Sequence, residues 1–405
     1  MKLSLNKLSE YFIILAIFVA TILNYFLNIN FYYIEIMMIC LILLIFLMGN
    51  KKILVHKANM AWFIAAFVSI ISCTYSLNSS SSFRYCILLL FYSFFMLLCS
   101  QEGIDRTRIL NLMEVFCGIH MVATLFQLLI PNVFYSIVST FLPSDVLSMN
   151  KSFWKFGTYC GLSENPAPNG FFIALFIIIV FNKLIVNEEK KYVWLKILLL
   201  IGGCYTLIWT KKRSFLIFVA IVIAISWLIG FRKNQHKLKY LVISICLIVL
   251  GIYFIERYNL DVLIVEKFLR YMDQGDISNG RMELWEESLD YFQNHPLFGV
   301  GIRSLTTVLG NDSHNIYIQL LAEVGIIGAF IFYVAIWYPI ILCIKQAIKM
   351  KNRKMDVFVV ISIQILFVLY GITGNDLFDH RFMWMYAVAM GLGIAIVRER
   401  KNDNE

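Results

Sequence analysis

Three short stretches of this sequence carry side chains able to act on a charged or hydroxylic substrate. Lys211, Lys212 and Arg213 form a basic triplet between two apolar runs. A guanidinium fork such as that of Arg213 binds phosphate oxygens bidentately, whereas the lysines also suit headgroup anchoring by snorkelling side chains. Arg281 follows Gly280 at the start of GRMELWEESLDYFQNHPLFGVG, and Arg303 lies two residues beyond that string. His314 stands in NDSHNIYIQLLAEVGIIGAF, where an imidazole can take a proton near neutral pH. A lone histidine at a helix start is more often a hydrogen-bonded structural residue. Glu323 is nine residues further on, about 13 Å deeper along the same helix. A carboxylate at that depth is either functional or a hydrogen-bond partner between helices. His120 and Gln127 share a helix face and read as a structural hydrogen-bond pair. There is no C-x-x-C pair and no zinc-ligand spacing, so no metal and no cofactor is expected.

A membrane must position these groups. The 405 residues are 60% hydrophobic and only 15% charged, against about 25% charged in soluble domains. The mean hydropathy of +0.75 agrees. Six prolines and 21 glycines exclude collagen-like or disordered chains. Twelve apolar runs are long enough to be read as spans: 11–29, 31–48, 60–77, 85–99, 109–130, 171–186, 193–209, 215–230, 241–255, 316–344, 357–374 and 382–397. They do not alternate as barrel strands would. The expected fold is therefore a single all-α polytopic membrane domain, 1–405, of about twelve transmembrane helices.

Orientation follows from Lys and Arg. Most of the 35 basic residues fall in alternate connections, among them Lys51 and Lys52, Arg106 and Arg108, Lys190 and Lys191, Arg232 and Lys233, and Lys351 to Lys354. Both termini are then cytoplasmic, and the net charge of +9 is an orientation signal rather than a nucleic-acid footprint. The first run has a basic lead without a small-residue cleavage site, which predicts a retained span. Of nine cysteines only Cys160 falls in a long outward loop, so no structural disulfide is implied.

Two outward connections are long, 131–170 and 256–313. The first is rich in aromatic residues suited to an interface. In the second, Trp285, Leu289 and Phe292 recur at helical spacing opposite Glu283, Glu286, Glu287 and Asp290. Pro296 and the glycines Gly299 and Gly301 then end the helix. The pattern predicts a short amphipathic helix from about Arg281, laid over the outer face, with its acidic side solvated.

In G-R-x-x-L-W at Gly280–Trp285, H-P-L-F-G-V-G at His295–Gly301, and H-N-x-Y-x-x-x-L-x-E-x-G-x-x-G at His314–Gly328, the chain resembles the O-antigen ligase and polymerase superfamily. Arg213-Ser214 resembles that family's serine-arginine-serine segment, with Lys212 in place of the first serine. Glu164–Gly170, E-N-P-A-P-N-G, resembles its proline-asparagine element. The likeness covers roughly residues 155 to 395; earlier spans match only as hydrophobic helices.

The resemblance implies a glycosyltransferase of the C-type membrane fold, acting at the outer face of the bacterial plasma membrane. Its donor would be an undecaprenyl-diphosphate-linked oligosaccharide, with membrane lipids around it, no metal, and no nucleotide sugar or nucleic acid as partner. It implies Arg213 and Arg281 as diphosphate ligands and His314 as the base. Arg303, Asn315, Asn169 and Lys212 are further candidates for substrate contact, and Glu323 and Trp285 for structural support. A flippase and a chain-length regulator of the same pathway are the expected protein partners. Polymerisation of lipid-linked repeats is preferred over ligation of a finished glycan to a lipid or protein, because richness in Ile, Lys and Asn suggests a low-GC bacterium. A transporter, the reading from another class, predicts paired halves and midplane charges; neither stands out.

Overall fold

The computed structural model describes residues 5–27, 31–49, 53–186, 192–230, 280–349 and 355–402. Among them every regular element is helical. Seven helices are long and apolar enough to cross a membrane, and four shorter apolar ones accompany them. These eleven correspond to all of the expected spans except 241–255, which lies outside the described residues, as does 256–279 of the second long connection.

In chain order the helices are α1 (Leu5–Phe18), α2 (Phe31–Met48), α3 (Lys57–Cys73), α4 (Ser79–Cys99), α5 (Arg106–Leu129), α6 (Pro131–Val138) and α7 (Ser144–Lys155). They continue with α8 (Pro166–Val186), α9 (Val193–Trp209), α10 (Arg213–Gly230), α11 (Arg281–Asn294), α12 (Ile316–Lys349), α13 (Met355–Tyr370) and α14 (His380–Asn402). Polar residues at the run ends set the starts. The side-chain oxygens of Asn78 and Asp105 accept from Ser81 N and Arg108 N, and Asn165 accepts from Ala167 N beside Pro166.

Two helices form the centre. α8 is buried along almost its whole length and packs against α5, α9, α10 and α13. α14 is nearly as buried and packs against α4, α12 and α13. α2 turns most of its surface outward, as a lipid-facing helix does. In lipid such packing rests on close contact and interhelical hydrogen bonds rather than on expulsion of water. The aromatic ring of Phe367 stacks on that of Tyr386 at 3.9 Å and 4°, a tight contact between α13 and α14.

The connection 131–170 is built rather than loose. Gln127 Nε2 donates to Tyr135 Oη and to Asn150 Oδ1, at 2.7 and 2.8 Å. Gln127 Oε1 accepts from the backbone of Cys160 and Gly161, and Asn150 Nδ2 donates to the carbonyls of Gly161 and Ser163. His120 has other partners: its ring nitrogens meet Thr21 O at 2.7 Å and Asn169 Oδ1 at 3.3 Å. The expected pair of His120 with Gln127 is thus corrected. Seven residues separate them by about 10 Å along the helix, and each bonds to a different neighbouring segment.

The glycine-bearing motifs turn out to interlock. α12 is broken at Gly325, which has φ 65° and ψ −176°. Into the break fits the turn after α11: Val300 N donates to Ala322 O, Gly301 N to Glu323 O, and Ile326 N to Pro296 O, all at 2.8–3.0 Å. A Cβ on Gly325 would lie 2.3 Å from the Leu297 backbone, and one on Gly299 2.4 Å from that of Glu323. Both also have positive φ, so two constraints require glycine at each. α11 is the expected amphipathic helix, with Glu283, Glu286, Glu287 and Asp290 exposed and its other face packed on α12.

Candidate active site

The starts of five helices meet around one cavity of about 250 Å³. Asn165, Ala167 and Pro168 line it from the start of α8, Lys212 from the residue before α10, and Arg281 from the first turn of α11. His314 lines it just ahead of α12, and Arg381 and Phe382 from the first turn of α14. Tyr370, at the end of α13, and Thr373, Asn375 and Asp379, from the connection to α14, complete the wall. A helix start carries partial positive charge, worth about half an elementary charge for a full helix. Five starts together with Lys212 and Arg281 make a place for an anion.

His314 is held from both sides. It has φ 53°, a left-handed conformation that costs a non-glycine residue about 1 kcal/mol or more. Trp285 Nε1 donates to Ser313 O at 2.8 Å, and Ile316 N to Gly371 O at 2.9 Å. Asn315 Oδ1 accepts from Tyr317 N and Ile318 N, capping α12. Trp285 thus bonds the residue before His314, and Asn315 caps α12 and does not line the cavity. Lys211 and Arg303 also have positive φ, at 53° and 60°, so three of the four such non-glycine residues among those described gather at this end of the bundle.

Burial lowers the proton affinity of His314. The positive charges of Arg281 and Lys212 lower it further, partly offset by Asp312. The imidazole is therefore neutral at neutral pH and open to protonation. Asp379 is the one carboxylate among the lining residues. Burial raises its pKa, but the Arg381 guanidinium outweighs this and holds the carboxyl below the usual range.

The structure brings Lys212, Arg281 and His314 together and places the other candidates elsewhere. Arg213 is half-buried at the start of α10, next to Lys212, but does not line the cavity. Among the described residues, neither Arg213 nor Arg281 has a hydrogen-bond or ion-pair partner for its guanidinium. Arg303 is committed internally: Nη1 lies 2.7 Å from Asp312 Oδ1, and the group sits 4.8 Å over the Phe378 ring. Asn169 is fully buried in α8 and donates to Thr124 Oγ1 at 2.8 Å. Glu323 is buried too, its Oε1 accepting from Gln319 Nε2 at 3.1 Å and Leu305 N at 3.3 Å. That is the bonding role between segments, close under the site.

Two residues of the wall, Asp379 and Arg381, carry no motif. Arg381 donates to both oxygens of Asp379, at 2.9 Å from Nε and 2.6 Å from Nη2, and its Nη1 reaches Glu164 Oε1. The guanidinium ties the start of α14 to the segment before α8. The only sequence signal was three charged or polar residues, Asp379, His380 and Arg381, abutting an apolar run.

No curated protein matches the chain. The model of the O-antigen ligase family matches residues 197–333, a stretch holding the basic triplet, Arg281, His314 and Glu323. That match covers 137 of the 405 residues and supports the likeness of the chain to the O-antigen ligase and polymerase superfamily, and with it a role in surface-polysaccharide glycan transfer.

Proposed function

We propose that the chain is a membrane glycosyltransferase that joins undecaprenyl-diphosphate-linked oligosaccharide repeats into a surface polysaccharide. One observation carries the reading: a half-buried histidine faces two cations in a cavity gathered at helix starts. A sugar hydroxyl attacking an anomeric carbon must lose a proton, and the departing diphosphate must be stabilised. His314 takes the proton. Arg281 and Lys212 hold the diphosphate, joined by Arg213, whose guanidinium has no described partner. Preorganised charge of this kind contributes about 100- to 1000-fold in rate. Retaining transfer through a covalent intermediate uses two carboxylates. Here Asp379, the lining carboxylate, is bound by Arg381, so single displacement with inversion is the step assigned.

The site lies on the outer face of the plasma membrane in this reading, with both termini cytoplasmic. In support, Arg106, Lys183 and Arg398 sit at the helix ends remote from the cavity, where the positive-inside rule puts them. Ligation to a separate acceptor uses the same donor chemistry and is the second reading, favoured by the family description. The test is reconstitution in vesicles with lipid-linked oligosaccharide extracted from cells lacking the active chain. Growth into a ladder with release of carrier diphosphate supports polymerisation. Product only after addition of another acceptor assigns ligation, and none under either condition sinks the transferase reading.

A further inference from the structure

Among the described residues, the one side chain within hydrogen-bond reach of the His314 ring comes from the α13–α14 connection. The Asn375 carboxamide lies with Nδ2 3.5 Å from His314 Nδ1. Its Oδ1 is buried and has no hydrogen-bond partner among the described residues. A half turn of the amide exchanges these two atoms, and the two ends present opposite chemistry to the ring. With Nδ2 toward the ring, Nδ1 must be the acceptor and Nε2 carries the hydrogen, which leaves Nε2 unable to take a proton. With Oδ1 toward the ring, Nδ1–H donates to it and the Nε2 lone pair is free. Only this second arrangement survives protonation, because the imidazolium keeps Nδ1–H on the same oxygen.

From this juxtaposition we infer that Asn375 is a positioning residue that holds His314 as the Nδ1–H tautomer and so makes Nε2 the proton acceptor. The inference rests on the glycosyl-transfer reading above. In the step it serves, the acceptor hydroxyl oxygen forms a bond to the anomeric carbon and its proton passes to Nε2. The bond from that carbon to the diphosphate oxygen breaks, and its electron pair leaves with the diphosphate. The other charged or titratable groups around the ring are Arg281 on α11, Lys212 before α10 and Asp312 in its own loop. Tyr370 and the ion-paired Asp379 and Arg381 line the cavity with it. Among the described residues none of these hydrogen-bonds to Nδ1, which leaves the tautomer to Asn375.

The assay is glycan transfer in vesicles from lipid-linked oligosaccharide extracted from cells lacking the active chain. Asn375→Leu should lower kcat about 10- to 100-fold, as loss of an orienting partner does elsewhere, with KM changed less than about twofold. Asn375→Asp should restore most of kcat. Its carboxylate favours the imidazolium, so the acid limb of the pH profile should move up by about one pH unit. Wild-type kcat in Asn375→Leu, or an unmoved acid limb in Asn375→Asp, overturns the inference. If neither variant folds, ¹⁵N spectra of the histidine-labelled wild type decide, with His314 assigned by its loss in His314→Ala. An Nδ1–H signature supports the tautomer and an Nε2–H signature overturns it. Failure of the wild type itself to transfer glycan would count against the transferase reading, while the spectra would still report the tautomer.

Discussion

The two ends of the bundle treat their arginines differently. Remote from the cavity, Arg106 bridges Asp356 at 3.0 Å and Glu399, so one guanidinium joins three helices, α5, α13 and α14. Arg398 donates to the carbonyls of Leu54 and Ser100, and Lys183 pairs with Glu114. At the cavity end Arg381 and Arg303 are likewise paired, but Arg213 and Arg281 have no described partner. A half-buried guanidinium without a carboxylate is a costly arrangement unless an anion completes it. The difference separates arginines that hold helices together from arginines left available to a ligand.

Several substitutions would break or sharpen that contrast. His314→Ala should abolish turnover while retaining binding of the lipid-linked donor; near-normal activity would show that the base lies elsewhere. Arg281→Ala should lower turnover about 100- to 1000-fold with little change in melting temperature. It should also move the acid limb of the pH profile upward, because a charge that depresses the His314 pKa is gone. Arg106→Ala should do the reverse, costing about 1–3 kcal/mol of stability with turnover per folded molecule unchanged. A loss of turnover equal to that of Arg281→Ala would erase the distinction between the two ends.

The wild-type pH profile is a further check. The base works when neutral, and its pKa is lowered by burial, Arg281 and Lys212. Activity should therefore persist below the ordinary histidine value of 6.5 and fall only at lower pH. A limb at or above 6.5 would contradict the environment described. The smallest effect belongs to Lys211→Ala. Its ammonium already donates to Phe156 O, and a change of no more than about threefold is expected, against a much larger loss for Arg213→Ala.

The spans were legible because each is a local property. An unbroken apolar run must lie in lipid or protein whatever its neighbours do, and the eleven described spans follow the runs to within a few residues. α11 was legible for the same reason, since helical spacing of Trp285, Leu289 and Phe292 is written within one segment. The roles of individual polar residues were not. Arg303 and Asn169 have the right types for substrate contact, but Asp312 and Thr124 claim them, a fact of partners rather than of type. Conversely, Asn375, Asp379 and Arg381 had no motif, because partners of theirs lie up to 217 residues away.

Composition and apolar periodicity by themselves determined that this is a polytopic helical membrane protein, and the order of its motifs carried the resemblance to the O-antigen ligase family. They also marked Arg281, His314 and the basic triplet as the residues to examine. Only the tertiary structure decided which of those face a common cavity, and that H-P-L-F-G-V-G and E-x-G interlock through their backbones. The physical reason is that helix formation and lipid burial depend on neighbours in sequence. Charge pairing, backbone strain and the meeting of five helix starts depend on how distant segments pack.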